Sequence, residues 1–328
     1  MRIAVFGSGS WGTALAVSFG QVHDVVLWGR DRERSEELQR RRQNDRYLPG
    51  VSFPDRVEAT NDLDAAARSA DLHVVVTPLS GLRHAVRALH ALTPGTPLLW
   101  ACKGLEADSG KLPHEIVFEE LGQDAPCGVL TGPSFAAEVG AGMPTAVTLA
   151  SLDRNFADHW VQMLHQPRFR IYANTDLVGC EIGGGLKNVI AIAAGVSDGM
   201  GFGLNARAAL ITRGLAEITR LGTALGARVE TLMGLAGMGD LILTCTGDLS
   251  RNRRVGLALA QGKTLADILR DLGHVAEGVP TARAVVRLAA THGVEMPISE
   301  AIDALLHSEH IGPRDAVELL LSREPRHE

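Results

Sequence analysis

The opening of the chain admits few folds. Arg2-Ile3-Ala4-Val5-Phe6 is an apolar run suited to a buried parallel strand. It leads directly into Gly7-Ser8-Gly9-Ser10-Trp11-Gly12, and a helical stretch, Thr13–Phe19, follows. The pattern G-x-G-x-x-G is weak alone, but between a strand and a helix it points to a dinucleotide site. Gly7 would permit the tight turn, Gly9 the approach of backbone to a pyrophosphate, and Gly12 the packing of helix on strand. The helix start would add free N–H groups and a partial positive charge.

A second strand, Asp24–Trp28, ends in Gly29-Arg30-Asp31. An acid first in this place would favour NAD(H), accepting from the ribose 2′-hydroxyl. Arg30 comes first instead and suits a 2′-phosphate, so the reading favours NADP(H), with NAD(H) as the alternative. The plain alternative for Arg30 is one more charge beside the mixed-charge helix Asp31–Arg42. Strand and helix then alternate: Leu63–Ser69 helix, Leu72–Thr77 strand, Leu79–Leu92 helix, Pro97–Cys102 strand, Leu112–Leu121 helix, Pro126–Thr131 strand. Thr145–Ala150 (strand), Arg154–His165 (helix) and Phe169–Ala173 (strand) complete the series. This succession predicts an α/β Rossmann domain, a doubly wound and mostly parallel sheet, over residues 1–175. From Asp176 onward only helical periodicity remains, which predicts an all-α domain over 176–328 with a frayed end at Arg323–Glu328.

At 328 residues the chain exceeds one typical core. A net charge of −6 favours neither nucleic acid nor an anionic membrane. No apolar run reaches the ~20 residues that span a bilayer, so no membrane insertion is expected. The first strand begins at Arg2, which leaves no room for a leader and makes a cytoplasmic location the expectation. Cys102, Cys127, Cys180 and Cys245 form no C-x-x-C pair and the histidines no H-E-x-x-H, so no metal site is expected. The apolar helical half is compatible with a homodimer.

Candidate chemistry lies at a few places. Only four of the 32 Lys and Arg residues are lysine: Lys103, Lys111, Lys187 and Lys263. A chain that takes arginine for generic positive charge can reserve lysine for a titratable amine. Lys187 sits in Glu181–Val196, a helical stretch with no polar stripe, which predicts burial on all sides. Desolvation would lower its pKa and suit it to proton transfer, whereas an amine reaching water along its stem is the bland reading. The glycines Gly183, Gly184 and Gly185 weaken that helix by about 0.8–1 kcal/mol each unless another backbone or a ligand must come close. Lys103 follows a strand end and so points toward the cofactor crevice. Ser134, in Gly132-Pro133-Ser134-Phe135-Ala136, fits a hydroxyl contacting a ligand better than a hydrolase elbow, whose last glycine is missing. Gly234-Leu235-Ala236-Gly237-Met238-Gly239-Asp240 sets three glycines around one acid. Ser250 is a good N-cap, and Arg251 and Asn252 follow it in the first turn. Basic residues there oppose the helix dipole, so an anion partner such as a phosphate explains them better than a plain capped helix.

Taken together and in order, G-S-G-S-W-G, C-K-G-L-E, G-P-S-F-A, G-G-L-K-N, G-x-G-D-L, S-R-N-R and Val275-Ala276-Glu277-Gly278-Val279 closely resemble the bacterial-type NAD(P)-dependent glycerol-3-phosphate dehydrogenases. The resemblance implies a Rossmann domain joined to a helical domain of the 6-phosphogluconate-dehydrogenase-like type. It implies reversible reduction of dihydroxyacetone phosphate to sn-glycerol 3-phosphate, which supplies glycerophospholipid synthesis. By motif match Lys187 is the proton donor and acceptor. Lys103, Gly132, Ser134, Asp240, Ser250, Arg251 and Asn252 join it around the substrate. Gly9, Ser10, Trp11, Gly12, Arg30, Lys103, Ala136, Arg251, Val275 and Glu277 would hold NADP(H) or NAD(H). Three departures touch no role-bearing residue: Ala137 for a frequent lysine, Gly185 for a usual alanine, and Leu204 for a common acid. A ketoacid or ketopantoate reductase of the same plan, and a non-catalytic NADP-binding module, are the rival readings.

Overall fold

The architecture is seen in a computed structural model describing residues 1–273, 275–308 and 310–321. The expected frayed end, Arg323–Glu328, lies outside the described residues. By its contacts the chain forms two compact units. The first takes Met1–Lys103 and Pro113–Cys180, and the second takes Gly104–Leu112 and everything from Glu181. The division thus falls five residues beyond the expected boundary near 175, and a short excursion after Lys103 belongs with the helical unit.

The first unit is built on ten strands: β1 (Arg2–Phe6), β2 (Asp24–Trp28), β3 (Gln43–Asn44), β4 (Leu48–Ser52), β5 (Val57–Thr60), β6 (Leu72–Val75), β7 (Leu98–Trp100), β8 (Cys127–Thr131), β9 (Thr145–Ala150) and β10 (Phe169–Asn174). Eight form one sheet in the order β10-β9-β8-β7-β6-β1-β2-β5, and β3–β4 form a separate antiparallel hairpin. All neighbours in the sheet are parallel except β8 and β9. Helices α1 (Ser10–Phe19), α2 (Arg32–Arg41), α3 (Leu63–Arg68), α4 (Leu82–Leu92), α5 (Pro113–Leu121), α6 (Ala136–Gly140) and α7 (Arg154–Leu164) connect the strands. Ile3, Ala4 and Val5 are wholly buried, as a parallel strand covered on both faces demands. Sequence order reverses across β1, which lies between β2 and β6, so the glycine-rich turn opens at the sheet's switch point.

Three elements here leave little trace in the sequence. β5 reads Val-Glu-Ala-Thr, with only Val57 buried; it is an edge strand too short for a pattern. The β3–β4 hairpin carries Pro49 and Gly50, and α6 is a single turn following Pro133.

The second unit is helical: α8 (Leu177–Gly199), α9 (Gly203–Ala224), α10 (Val229–Leu232), a π-helical turn (Leu235–Gly239), α11 (Asp240–Thr246), α12 (Arg251–Ala260), α13 (Leu265–Leu272), α14 (Gly278–Thr291), α15 (Pro297–His307) and α16 (Pro313–Leu321). One expectation fails on α8. At 23 residues it is long and apolar enough to cross a membrane by length and composition, as is the broken stretch Val229–Thr246. Every residue from 181 to 197 is buried within the protein, however, so α8 is apolar because other helices surround it. Among these is α12. A Cβ on Gly195 would lie 2.0 Å from the Arg253 carbonyl oxygen, and one on Gly256 would lie 2.0 Å from that of Ile192. Glycine at both positions lets the two backbones touch.

Glu217, buried in α9, closes the start of α15. Its carboxylate accepts from the N–H of Ile298 at 2.6 Å, the N–H of Ser299 at 3.2 Å and the Ser299 hydroxyl at 3.0 Å. Desolvation pushes its pKa up from 4.5 to about 7, against the opposing effect of those donors and of Arg220. A carboxyl whose pKa rises on folding stabilises the protein fully below its unfolded value. That contribution, about 3 kcal/mol for such a shift, is lost as pH climbs toward 7. Replacing Glu217 with Gln removes the titration. The melting temperature of the variant is therefore expected to gain on the wild type between pH 4.5 and 7.5; parallel profiles would contradict this assignment.

Candidate active site

The glycine turn after β1 has the geometry a pyrophosphate needs. Gly7 has φ of +128°, and a Cβ there would sit 2.6 Å from the Val76 carbonyl oxygen. A Cβ on Gly12 would fall 1.9 Å from the Gly7 carbonyl oxygen, whereas one on Gly9 would meet nothing within 4 Å. Gly7 and Gly12 are thus required by the protein's own packing, and Gly9 faces open space. The first turn of α1 carries no acid and no side chain caps it, so its N–H groups and dipole remain for an anion. Trp11 packs half-buried on the core, and Ala136 opens α6, which lies against α1. Arg30 is exposed at the end of β2. Asp31 N-caps α2, its Oδ1 accepting from the Arg34 N–H at 3.1 Å.

β7 and β8 are paired in register, so their carboxyl ends lie side by side. This brings three predicted residues together. The Lys103 Nζ donates to the Gly132 carbonyl at 3.3 Å, and the Ser134 hydroxyl donates to the same oxygen at 3.0 Å. Gly132 itself has φ of +132°, and a Cβ there would press 3.1 Å from Val147 Cα.

In the helical unit Lys187 lies on α8 with only 7% of its surface exposed, and its Nζ donates to the carboxylate of the fully buried Asp240. Local backbone geometry puts that acid there. The π-helical turn ends at Gly239, and a Cβ on Gly237 would sit 1.9 Å from the Leu232 carbonyl oxygen. A Cβ on Gly183 would lie 2.6 Å from the Ala236 carbonyl oxygen, and one on Gly185 3.2 Å from Gly104 Cα. The backbone approach expected at these glycines is therefore made by other segments of the same chain. Thr244 donates to the Asp240 carbonyl at 2.6 Å. Burial pushes the neighbouring Cys245 thiol up to about 12, so it stays protonated at neutral pH.

The α12 start is close to Lys187 through one amide relay. Asn252 Nδ2 donates to Asn188 Oδ1 at 2.9 Å, and Asn252 Oδ1 accepts from the Gly278 N–H at 3.0 Å. Thus Asn252 ties the residue after Lys187 to the segment bearing Val275 and Glu277. Ser250 caps α12, accepting from the Arg253 N–H at 3.2 Å. Protein packed around the Arg251 guanidinium lowers its pKa, and the Glu277 carboxylate partly opposes this, so those two residues also lie within each other's field. Arg253 is a framework residue: it pairs with Asp198 at 2.7 Å and Asp248 at 2.9 Å. The argument for an anion from basic first-turn residues then rests on Arg251 and Arg254. Among the described residues no group of His, Cys, Asp and Glu could hold a metal ion.

Comparison with known proteins agrees with the two-part fold. Residues 2–157 match the family model for the NAD-dependent glycerol-3-phosphate dehydrogenase N-terminus, and residues 176–318 match that for its C-terminus. The chain is 74% identical over its whole length, and that of the relative, to glycerol-3-phosphate dehydrogenase [NAD(P)+] of Aromatoleum aromaticum. The chain belongs to the NAD-dependent glycerol-3-phosphate dehydrogenase family. The crystal structure of glycerol-3-phosphate dehydrogenase from Coxiella burnetii superposes with a TM-score of 0.94 at 42% identity, covering 98% of this chain and 99% of that one. A probable 2-dehydropantoate 2-reductase from Bacillus subtilis reaches 0.56 at 15% identity over 93% and 99%, a likeness of fold alone.

Some residues of this family member escape a reading of sequence. Asn188 carried a usable signal, since it is a second polar residue on a helix without a polar stripe. Arg34 and Asn44, which grip the glycine turn, carried none, because one sits in a mixed-charge run and the other in the unforeseen hairpin. Removing one partner of the buried ion pair tests its weight. Asp240→Leu is expected to lower stability to urea by about 3 kcal/mol, with most recovered on adding Lys187→Met. A loss below about 0.5 kcal/mol would show the pair to be energetically idle.

Proposed function

We propose that the chain catalyses the reversible NAD(P)H-dependent reduction of dihydroxyacetone phosphate to sn-glycerol 3-phosphate, with Lys187 as the proton donor. The observation that carries this reading is the buried Lys187–Asp240 pair, joined through Asn188 and Asn252 to a helix start suited to phosphate. The glycine turn would hold the pyrophosphate at Gly9, Ser10 and the start of α1, with Trp11, Arg30 and Ala136 completing the first unit's share of the cofactor's surroundings. When bound, the reduced nicotinamide supplies a hydride to the substrate carbonyl carbon.

The chain's own residues do the rest. As negative charge gathers on the carbonyl oxygen, the Lys187 ammonium gives it a proton, and the neutral amine regains one from water. Desolvation alone would drive this amine toward its neutral form. Asp240 in contact with it favours the ammonium, which is the form a reduction requires. In the first unit Lys103, beside Gly132 and Ser134, offers a cation to an anionic oxygen. Ser250, Arg251 and Asn252 hold the phosphate, and this remote contact orients the reacting carbonyl. The Ser250 oxygen already accepts from Arg253, so its hydroxyl hydrogen is what it offers to an anion. The product suits glycerophospholipid synthesis. We read the enzyme as cytoplasmic and without membrane insertion, and its apolar helical half as compatible with a homodimer.

The test is dihydroxyacetone phosphate-dependent oxidation of NADPH and NADH, followed by absorbance in wild type and Lys187→Met. Wild type is expected to turn over. The variant is expected to lose about 10²–10⁴-fold in kcat while binding NADPH nearly unchanged. Retained turnover in the variant would overturn the role of Lys187, and its absence in wild type would overturn the reaction.

A further inference from the structure

The first turn of α2 holds a cation that no carboxylate among the described residues neutralises. Arg34 Nη2 donates to the Ser8 carbonyl at 3.1 Å and to Asn44 Oδ1 at 3.2 Å, and the guanidinium lies 3.8 Å from the centre of the Tyr47 ring. Asn44, almost wholly buried, braces the same carbonyl through Nδ2 at 3.0 Å and reaches the Thr13 hydroxyl at 2.7 Å. The guanidinium is therefore fixed against the glycine turn with one nitrogen engaged. Its Nε and Nη1 have no hydrogen-bond partner among the described residues.

The charges around it are settled elsewhere. Arg32 pairs with Glu36, and Arg41 with Glu37 and Asp45. The nearest acid in sequence, Asp31, is directed to the Arg34 backbone N–H as a cap. No carboxylate among the described residues pairs with the Arg34 guanidinium. Holding a cation rigid without a counter-ion makes sense where an anion arrives from outside, and an arginine fork fits a phosphate with two parallel bonds.

Its place in the fold says which phosphate. In a doubly wound sheet the adenosine ribose lies at the end of the second strand, beside the glycine turn. Gly29, the residue after β2, is pressed so closely on Ser8 that a Cβ there would lie 2.6 Å from its hydroxyl oxygen. Arg30 next to it and Arg34 on α2 thus flank Ser8.

We infer that Arg34, fixed by Ser8 and Asn44 over the Tyr47 ring, recognises the 2′-phosphate of NADP(H), with the exposed Arg30 as a second cation. This rests on the reading of the glycine turn as a dinucleotide site. It makes α2, and not Arg30 alone, the determinant of cofactor preference.

The test titrates the full chain with adenosine 2′,5′-bisphosphate and adenosine 5′-monophosphate by calorimetry, in wild type and Arg34→Gln. Glutamine keeps a donor for Ser8 and removes the charge. Wild type is expected to prefer the bisphosphate. The variant is expected to lose about ten-fold or more of that affinity while the monophosphate changes by less than about two-fold. The ratio of KM for NADPH to that for NADH should rise by a similar factor. Equal losses for both nucleotides would show that Arg34 only shapes the turn, and no loss, or no preference in wild type, would equally overturn the inference. Nucleotide binding is read without the keto substrate, so failure of dihydroxyacetone phosphate reduction would leave this result standing.

Discussion

One ion pair sets the terms for the helical half of this protein. An ammonium and a carboxylate, both buried, attract strongly enough to offset their desolvation only if other groups hold them in register. Lys187 comes from the middle of a helix buried on every side. Asp240 comes from the end of a π-helical turn that exists because Gly237 can lie against the Leu232 carbonyl. Neither position is adjustable by a side-chain rotation at the surface. The meeting of amine and carboxylate is thus decided by the packing of two backbones.

Close backbone contact is the means throughout. Gly183 admits the Ala236 carbonyl, Gly195 and Gly256 let α8 and α12 touch, and Gly278 presses on Asn188 and Asn252. The last two contacts set the Ser250–Asn252 helix start beside the residue following Lys187. A Cβ at any of these sites would move a site residue through its backbone. In the first unit Gly7 and Gly12 shape the turn in the same manner, and the in-register ends of β7 and β8 gather Lys103, Gly132 and Ser134.

Much of this was legible beforehand because the chemistry imposes local patterns. A glycine fingerprint between strand and helix has few other uses, and a lone lysine on an all-apolar helix advertises its burial. Ser250 as a cap followed from residue type alone. The order of the sheet, the reversed β9, and the division of the chain at Cys180 depend on long-range pairing, which no local pattern encodes. β5 was hidden because an exposed edge strand needs no apolar alternation. At 23 residues α8 is long enough for a membrane, yet Lys187 and Asn188 interrupt its apolar run without making the helix polar overall. Arg253 shows the converse: it has the residue type of an anion ligand, yet Asp198 and Asp248 take its charge.

The central claim is that an ammonium at the position of Lys187, beside Asp240, delivers the proton. Chemical rescue tests it most directly. The Lys187→Ala enzyme would be assayed for dihydroxyacetone phosphate-dependent NADPH oxidation in rising concentrations of small primary alkylammonium ions. The account predicts almost no turnover without amine and a rate that climbs to saturation with it, while amines leave the wild type unaffected. Near-normal turnover without amine, or no rescue by any amine small enough to replace the side chain, would contradict it.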